Sequence, residues 1–256
     1  MTQVLYDIFE KAWKKTNSSS IWLYSDPHFG DADLWGIRQI TPEEQVKRIN
    51  SKVGKHDTII FLGDIGDVEY IKKIRGYKVL ILGNHDKGAT NYKKVISYKT
   101  VIDPKFKSDI IDTIQKSSPN KSVEALSNIL IKSDLGIQEI MKEVIEDNQL
   151  FDEVYDGELA ISDKIRLTHI PDISPYRLNI HGHCHPFSKL DFAGLSYNEI
   201  IKRHLDRTIE KGIPELNLCC EYLDFYPINL NAIVKSGIFK LVKDPTRELI
   251  DNKKND

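Results

Sequence analysis

The chain has 256 residues, a formal net charge of -2 at pH 7, 40% hydrophobic and 29% charged residues. That length suits one large domain or two small ones around a sizeable core, and near-neutrality excludes a global basic field for nucleic acid. The three cysteines, Cys184, Cys219 and Cys220, do not make a disulfide framework, and no apolar run approaches the ~20 residues of a bilayer span, so a cytoplasmic address and no membrane partner are expected.

Residues 3–15 carry Val4, Leu5, Ile8, Phe9 and Trp13 at helical spacing, and TNSSS ends the stripe. Acidic residues interrupt this stretch, so residues 1–19 read as an N-terminal helical extension rather than a signal peptide. IWLYS at 21–25 is a short buried strand ending at Asp26. PEEQVKRINSKV at 42–53 is a helix with proline in its first turn and acidic residues after it. TIIFLG at 58–63 is a second strand, ending at Asp64, and KVLILG at 78–83 is a third, ending at Asn84. Between them, Gly66-Asp67 reads as the start of a short helix over 67–75.

Residues 104–150 change character, with apolar positions three and four apart in DIIDTI, VEALSNILI and IQEIMKEVI. They predict a helical insertion or cap, a route to oligomers or a purely structural layer. ELAISDKIRLTHIP at 158–171 predicts a hairpin, turning near Asp163-Lys164, whose second strand delivers His169. RLNIHGHCHP at 177–186 is a strand running into another histidine cluster, LNLCCEYLDFYPINL at 216–230 reads as one or two closing strands, and 245–256 is a polar tail. Strands alternating with helices argue for one layered α/β domain over 1–256, with its ligand site beyond the strand C-terminal ends.

Five clusters stand at such ends: Asp26-Pro27-His28, Gly63-Asp64, Gly83-Asn84-His85-Asp86, His169 and Gly182-His183-Cys184-His185. Two carboxylates, an amide and four imidazoles match two divalent cations, and the pair His85-Asp86 is left for acid catalysis. Oxygen and imidazole donors suit manganese, iron, zinc, nickel or cobalt, with manganese favoured. Asp64 is the natural bridge, because Gly63 lets the chain turn tightly before it. Asp26 and His28, and likewise His183 and His185, are two apart, which on an extended strand end puts them on one side and points Cys184 away.

Other positions have weaker claims. Arg38 could grip a substrate phosphate bidentately or be solvated surface. Phe29, Trp35 and Phe187 could stack on a base or pack. His181 reads as structural, and His56 and His204 carry no assignment.

The order D-x-H, G-D, G-N-H-D, H, G-H-x-H resembles the calcineurin-like metallophosphoesterase superfamily, most of all its compact bacterial and phage members. Glu221, Tyr222, Tyr226, Pro227 and Ile228 approximate the E-x-x-x-Y-P-I strand in which those members end. The resemblance covers about residues 20–90 and 155–235. It implies a four-layer fold, a central β-sandwich of mixed sheets flanked by helices. It also implies a first metal on Asp26, His28, Asp64 and His185, and a second on Asp64, Asn84, His169 and His183. Asn84 would face substrate as well.

The implied chemistry is hydrolysis of a phosphodiester, such as a nucleotide or cyclic nucleotide, by metal-bridged hydroxide. His85 would protonate the leaving group and Asp86 would orient His85. GDIGDVEY and GNHD lack the Arg-Gly pair and the Glu of the serine/threonine protein phosphatases. The alternatives are a nuclease or phosphomonoesterase on the same site, or a non-catalytic protein-binding scaffold. A nucleic-acid partner is less favoured than a phosphorylated small molecule.

Overall fold

The computed structural model of the chain describes residues 20–86, 95–101, 137–143, 150–162 and 164–244. The N-terminal helix, the tail and most of the expected insertion lie outside them. Two mixed sheets make up a mixed α/β architecture. The larger contains β1 (Ile21–Tyr24), β2 (Thr58–Phe61), β3 (Tyr77–Ile81), β4 (Val95–Val101), β5 (Ile137–Glu143), β6 (Glu153–Asp156) and, near the end of the chain, the strand Ile228–Asn229. The smaller contains β7 (Leu159–Ala160), β8 (Ile165–Leu167), β9 (Leu178–His181) and β10 (Glu215–Asn217). With Ile228–Asn229 as β11, the larger sheet runs β11-β1-β2-β3-β6-β4-β5 and the smaller β10-β9-β8-β7.

β1, β2 and β3 become apolar and buried towards their C-terminal halves, where both their faces are covered. Leu23, Ile60, Leu62, Val79 and Ile81 share one core with Leu167, Leu178, Ile180 and Leu216 of the smaller sheet. The alternate residues Tyr24, Ile59, Phe61 and Leu80 pack on the opposite face with Val46 and Ile49. Each fully buried side chain of this kind contributes about 1.5–3 kcal/mol of burial free energy.

Val46 and Ile49 belong to the helix Pro42–Asn50, here α2, which follows a short α1 (Ala32–Arg38). Thr41 caps α2 by accepting a hydrogen bond from the Glu44 N–H, and Pro42 opens its first turn. The expected helix after Gly66 is a 3-10 turn, Val68–Lys73, capped by Asp67. The hairpin is present, with β7 antiparallel to β8.

Two expectations change. Residues 137–143, expected to be helical, form β5, paired antiparallel with β4 from Val101↔Ile137 to Val95↔Glu143. The spacing of Ile137 and Met141 fits either period, and pairing with the β-branched run of β4 decides it. The stretch 216–230 holds less strand than expected: between β10 and β11 lies a 3-10 turn, Cys220–Leu223.

The smaller sheet is flanked in sequence by α3 (Tyr197–Lys211), which a capping box between Ser196 and Glu199 starts and a left-handed Gly212 stops. The chain then adds α4 (Leu230–Lys235) after β11. No helix among the described residues is long and apolar enough to cross a membrane.

His204 of α3 gives a pH-dependent stability. Its Nε2–H donates to the Asn217 carbonyl at 2.6 Å, and its ring stacks on Tyr222. Burial, with Lys211 and Arg207 nearby, lowers its pKa from 6.5 to about 4. A depressed histidine stabilises the fold while neutral, so the contribution is complete above pH 6.5 and fades as pH falls towards 4. His204→Gln keeps a donor and removes the titration. Its unfolding free energy should therefore fall between pH 7.5 and 4.5 by roughly 2 kcal/mol less than that of the parent chain. Urea melts at the two pH values measure this, and equal losses would contradict it.

Candidate metal centre

β1, β2 and β3 are mutually parallel, so their C-terminal ends share one edge. β8 and β9 are parallel too and send His169 and Gly182-His183 out of the second sheet in the same way. The loops beyond the ends remain laced together. Asp26 N–H donates to Gly63 O at 3.1 Å, His28 N–H to Asp64 O at 3.0 Å, and Gly182 N–H to His169 O at 3.0 Å. The sheets are joined at the site itself, where His183 N–H donates to the Asp26 carboxylate at 3.0 Å.

This packing brings all seven expected donors into one place. Asp26, His28 and His185 form one group, and Asp64, His169 and His183 another, each with its donor atoms within 4.8 Å of one another. Asp64 joins the two. Its Oδ2 lies 3.6 Å from His28 Nε2 and 3.3 Å from His169 Nε2. Asn84 Oδ1 is 2.8 Å from His169 Nε2, which puts the amide with the second group. Cys184 is exposed and stands in neither group.

The reason for the convergence differs from the expected one. Asp26, His28, Asp64 and His183 have φ of 55°, 41°, 53° and 67°, so these are left-handed residues rather than an extended strand end. Such a conformation costs roughly 1–3 kcal/mol for a residue with a side chain, and it persists only where surrounding bonds over-determine it. Four of the seven donors share this conformation at one edge of the sheets. Close backbone approach adds a demand for glycine. A Cβ on Gly83 would stand 2.1 Å from Asp64 Oδ1, and one on Gly182 would stand 2.1 Å from Asp26 Oδ2.

The imidazoles are aimed by their outer nitrogens. His169 Nδ1–H donates to the Leu62 carbonyl at 2.7 Å, leaving Nε2 towards Asp64. His185 Nδ1–H donates to Glu221 Oε1 at 2.9 Å, leaving Nε2 towards Asp26, 3.5 Å away. A carbonyl or carboxylate behind a histidine in this way sets tautomer and orientation for a metal on the inner nitrogen. Charge agrees with geometry. Burial opposes ionisation of Asp64, yet hydrogen bonds from His169 and the His85 N–H hold its pKa at about 2. Burial likewise opposes a charge on Glu221, and His185 and Arg38 hold that carboxylate at about 2. Each of these anionic carboxylates stands beside an imidazole in a group that could hold a metal ion.

Three assignments are revised or extended by position. Asp86 is buried, and its carboxylate accepts from Asp64 N–H at 2.7 Å, Gly83 N–H at 2.8 Å and Ile65 N–H at 3.0 Å. It clamps the β2 and β3 loops together, a role beyond the expected one of orienting His85. Arg38 is buried, at 6% exposure, and its guanidinium faces Glu221 and two backbone carbonyls, so it is neither solvated surface nor a substrate grip. Phe29 is buried and stacks on Tyr70, which makes it core. Phe187 is fully exposed, and the Trp35 side chain lies outside what is described.

His85 is exposed, its N–H donating to Asp64 Oδ1 at 2.9 Å and its ring edge-on to His28 at 5.3 Å. His181 is fully buried between Gly182 O and Glu215, a structural residue as expected. Glu221 is the residue whose role the sequence reading did not assign. Only the fold places it: β10 is parallel to β9, so the segment after Asn217 emerges at the same edge as the histidines.

No family model matches this chain, and no curated protein matches it. A similar solved structure is that of the protein of unknown function AQ665 from Aquifex aeolicus. It is 17% identical and aligns over 85% of this chain and 99% of its own, with a TM-score of 0.44.

Proposed function

We propose that this chain is a metallophosphoesterase of the calcineurin-like type, a four-layer fold holding two divalent cations and hydrolysing a phosphodiester. The observation that carries this reading is the place of Asp64 Oδ2 between His28 and His169, each of which belongs to a separate cluster of donors. Asp26, His28, Asp64 and His185 would hold the first ion, and Asp64, Asn84, His169 and His183 the second. A pair of such ions supplies a water of lowered pKa and neutralises charge on a phosphoryl group.

The chain's own residues do the rest. Asp64, an anion near both groups of donors, would offset the repulsion between two cations held there. Asn84 and His85 are exposed at the mouth of the site, where a bound phosphate would lie. Asn84 would keep the amide nitrogen opposite its ligating oxygen for a phosphoryl oxygen. His85, fixed through its backbone to Asp64, would give its imidazole proton to the departing oxygen. Asp86 would hold the two loops at constant separation.

Hydrolysis of bis-p-nitrophenyl phosphate and of p-nitrophenyl phosphate tests the reading. The diester should be cleaved faster with manganese, not at all after EDTA, and again when manganese is restored. A faster monoester would make the chain a monoesterase. No turnover with manganese, or turnover indifferent to EDTA, would overturn the proposal.

A further inference from the structure

Both groups of donors need a support behind them, and the two supports are of different kinds. Behind the second group it is backbone and the Asp86 clamp: Leu62 O holds His169, and Asp86 holds the N–H groups of Asp64 and Gly83. Behind the first it is ionic. Arg38 Nη2 lies 2.6 Å from Glu221 Oε1, the same oxygen that accepts from His185 Nδ1. The guanidinium also donates to the Pro27 carbonyl at 2.7 Å through Nη1 and to the Asp26 carbonyl at 3.1 Å through Nη2. Those two carbonyls belong to the turn in which Asp26 and His28 are left-handed. The turn's carbonyls face a cation fork instead of a neighbouring strand. One side chain from the end of α1 thus braces Asp26, His28 and, through Glu221, His185.

We infer that Arg38 and Glu221 are positioning residues for the first metal alone, acting as a buried ionic relay that the second metal does not share. The inference rests on the two-metal reading above. A planar fork suits this task, because it meets two carbonyls and a carboxylate in one plane, which an ammonium cannot do. The side chains of Arg38 and Glu221 are 3% and 12% exposed, so solvent does little to replace either one.

Isothermal titration of the metal-free protein with manganese, together with the electron paramagnetic signal of a coupled manganese pair, tests this. Wild type should take up two ions. Glu221→Gln, which keeps size and an acceptor oxygen, should weaken one of the two steps by about 10–100-fold, the scale for losing the group behind a ligating histidine. The other step should move by less than about twofold on the same scale. Arg38→Met should do the same, and hydrolysis by both variants should recover as manganese is raised to saturation. Because Arg38→Met removes the cation beside the buried Glu221 carboxylate, the double variant Arg38→Met, Glu221→Gln provides a form without that uncompensated charge.

Equal weakening of both steps, or an unchanged titration in Glu221→Gln, would overturn the inference while leaving the two-metal reading intact. A wild-type protein that binds fewer than two ions would overturn the reading itself.

Discussion

Asp64→Asn is expected to cost the protein its pair of metals and nearly all turnover while leaving the fold in place. Asparagine has the size of aspartate and is among the few residues that tolerate a left-handed backbone, as φ of 53° here requires. The N–H of residue 64 would still meet Asp86. What disappears is negative charge at the one oxygen shared by both groups. Two dications a few ångströms apart repel strongly even when partly solvated, and an anion between them is the main offset. Metal content should fall from two ions to one at most. The rate on bis-p-nitrophenyl phosphate should fall by about 10³-fold or more, the scale of losing preorganised charge at a reacting centre. Metal analysis after dialysis and a thermal melt without metal separate this from misfolding. Two retained ions with near-normal turnover would remove Asp64 from the bridge.

His85→Ala should have the second largest effect, and a selective one. The bond that ties this residue to Asp64 comes from its backbone, so alanine preserves it and the donors stay where they are. Only the imidazole is lost. A diester with an alkoxide leaving group needs a proton at that oxygen, and its hydrolysis should slow by about 10²–10⁴-fold. A p-nitrophenolate departs without one, so that substrate should slow far less. Manganese titration should match wild type. Loss of an ion in His85→Ala would make the residue a ligand, and equal slowing of both substrates would remove it as an acid.

Much of this centre was legible in the sequence because its parts are local. β1, β2 and β3 are apolar runs since both faces are buried, and such runs are easily seen. Donor residues follow their ends within two to four positions, so Asp26, His28, Asp64 and Asn84 could be picked out without tertiary knowledge. Gly63 marked the tight turn before Asp64, whereas the close approaches at Gly83 and Gly182 emerged only with the fold. The relay was not legible, because Arg38, Glu221 and His185 are joined only by folding, with Arg38 and His185 147 residues apart.

Asp86 has a use that adjacency to His85 did not suggest: the turn at Gly83 brings its carboxylate onto the backbone N–H groups of the neighbouring loops. The Asp26–His28 expectation reached the right grouping for a wrong reason, since strand alternation does not survive positive φ. The helix α3 was marked by Ser196, Glu199 and Gly212, yet its weak apolar stripe of Ile200, Ile201 and Leu205 gave no element in the sequence reading.

In the larger sheet, β4 and β5 lie outside β6, two places beyond any strand that delivers a donor. The chain leaves for this border after Asp86 and has returned by Leu150. Because β4 and β5 form the border, a change in the length of either leaves the pairing of β1, β2 and β3 untouched.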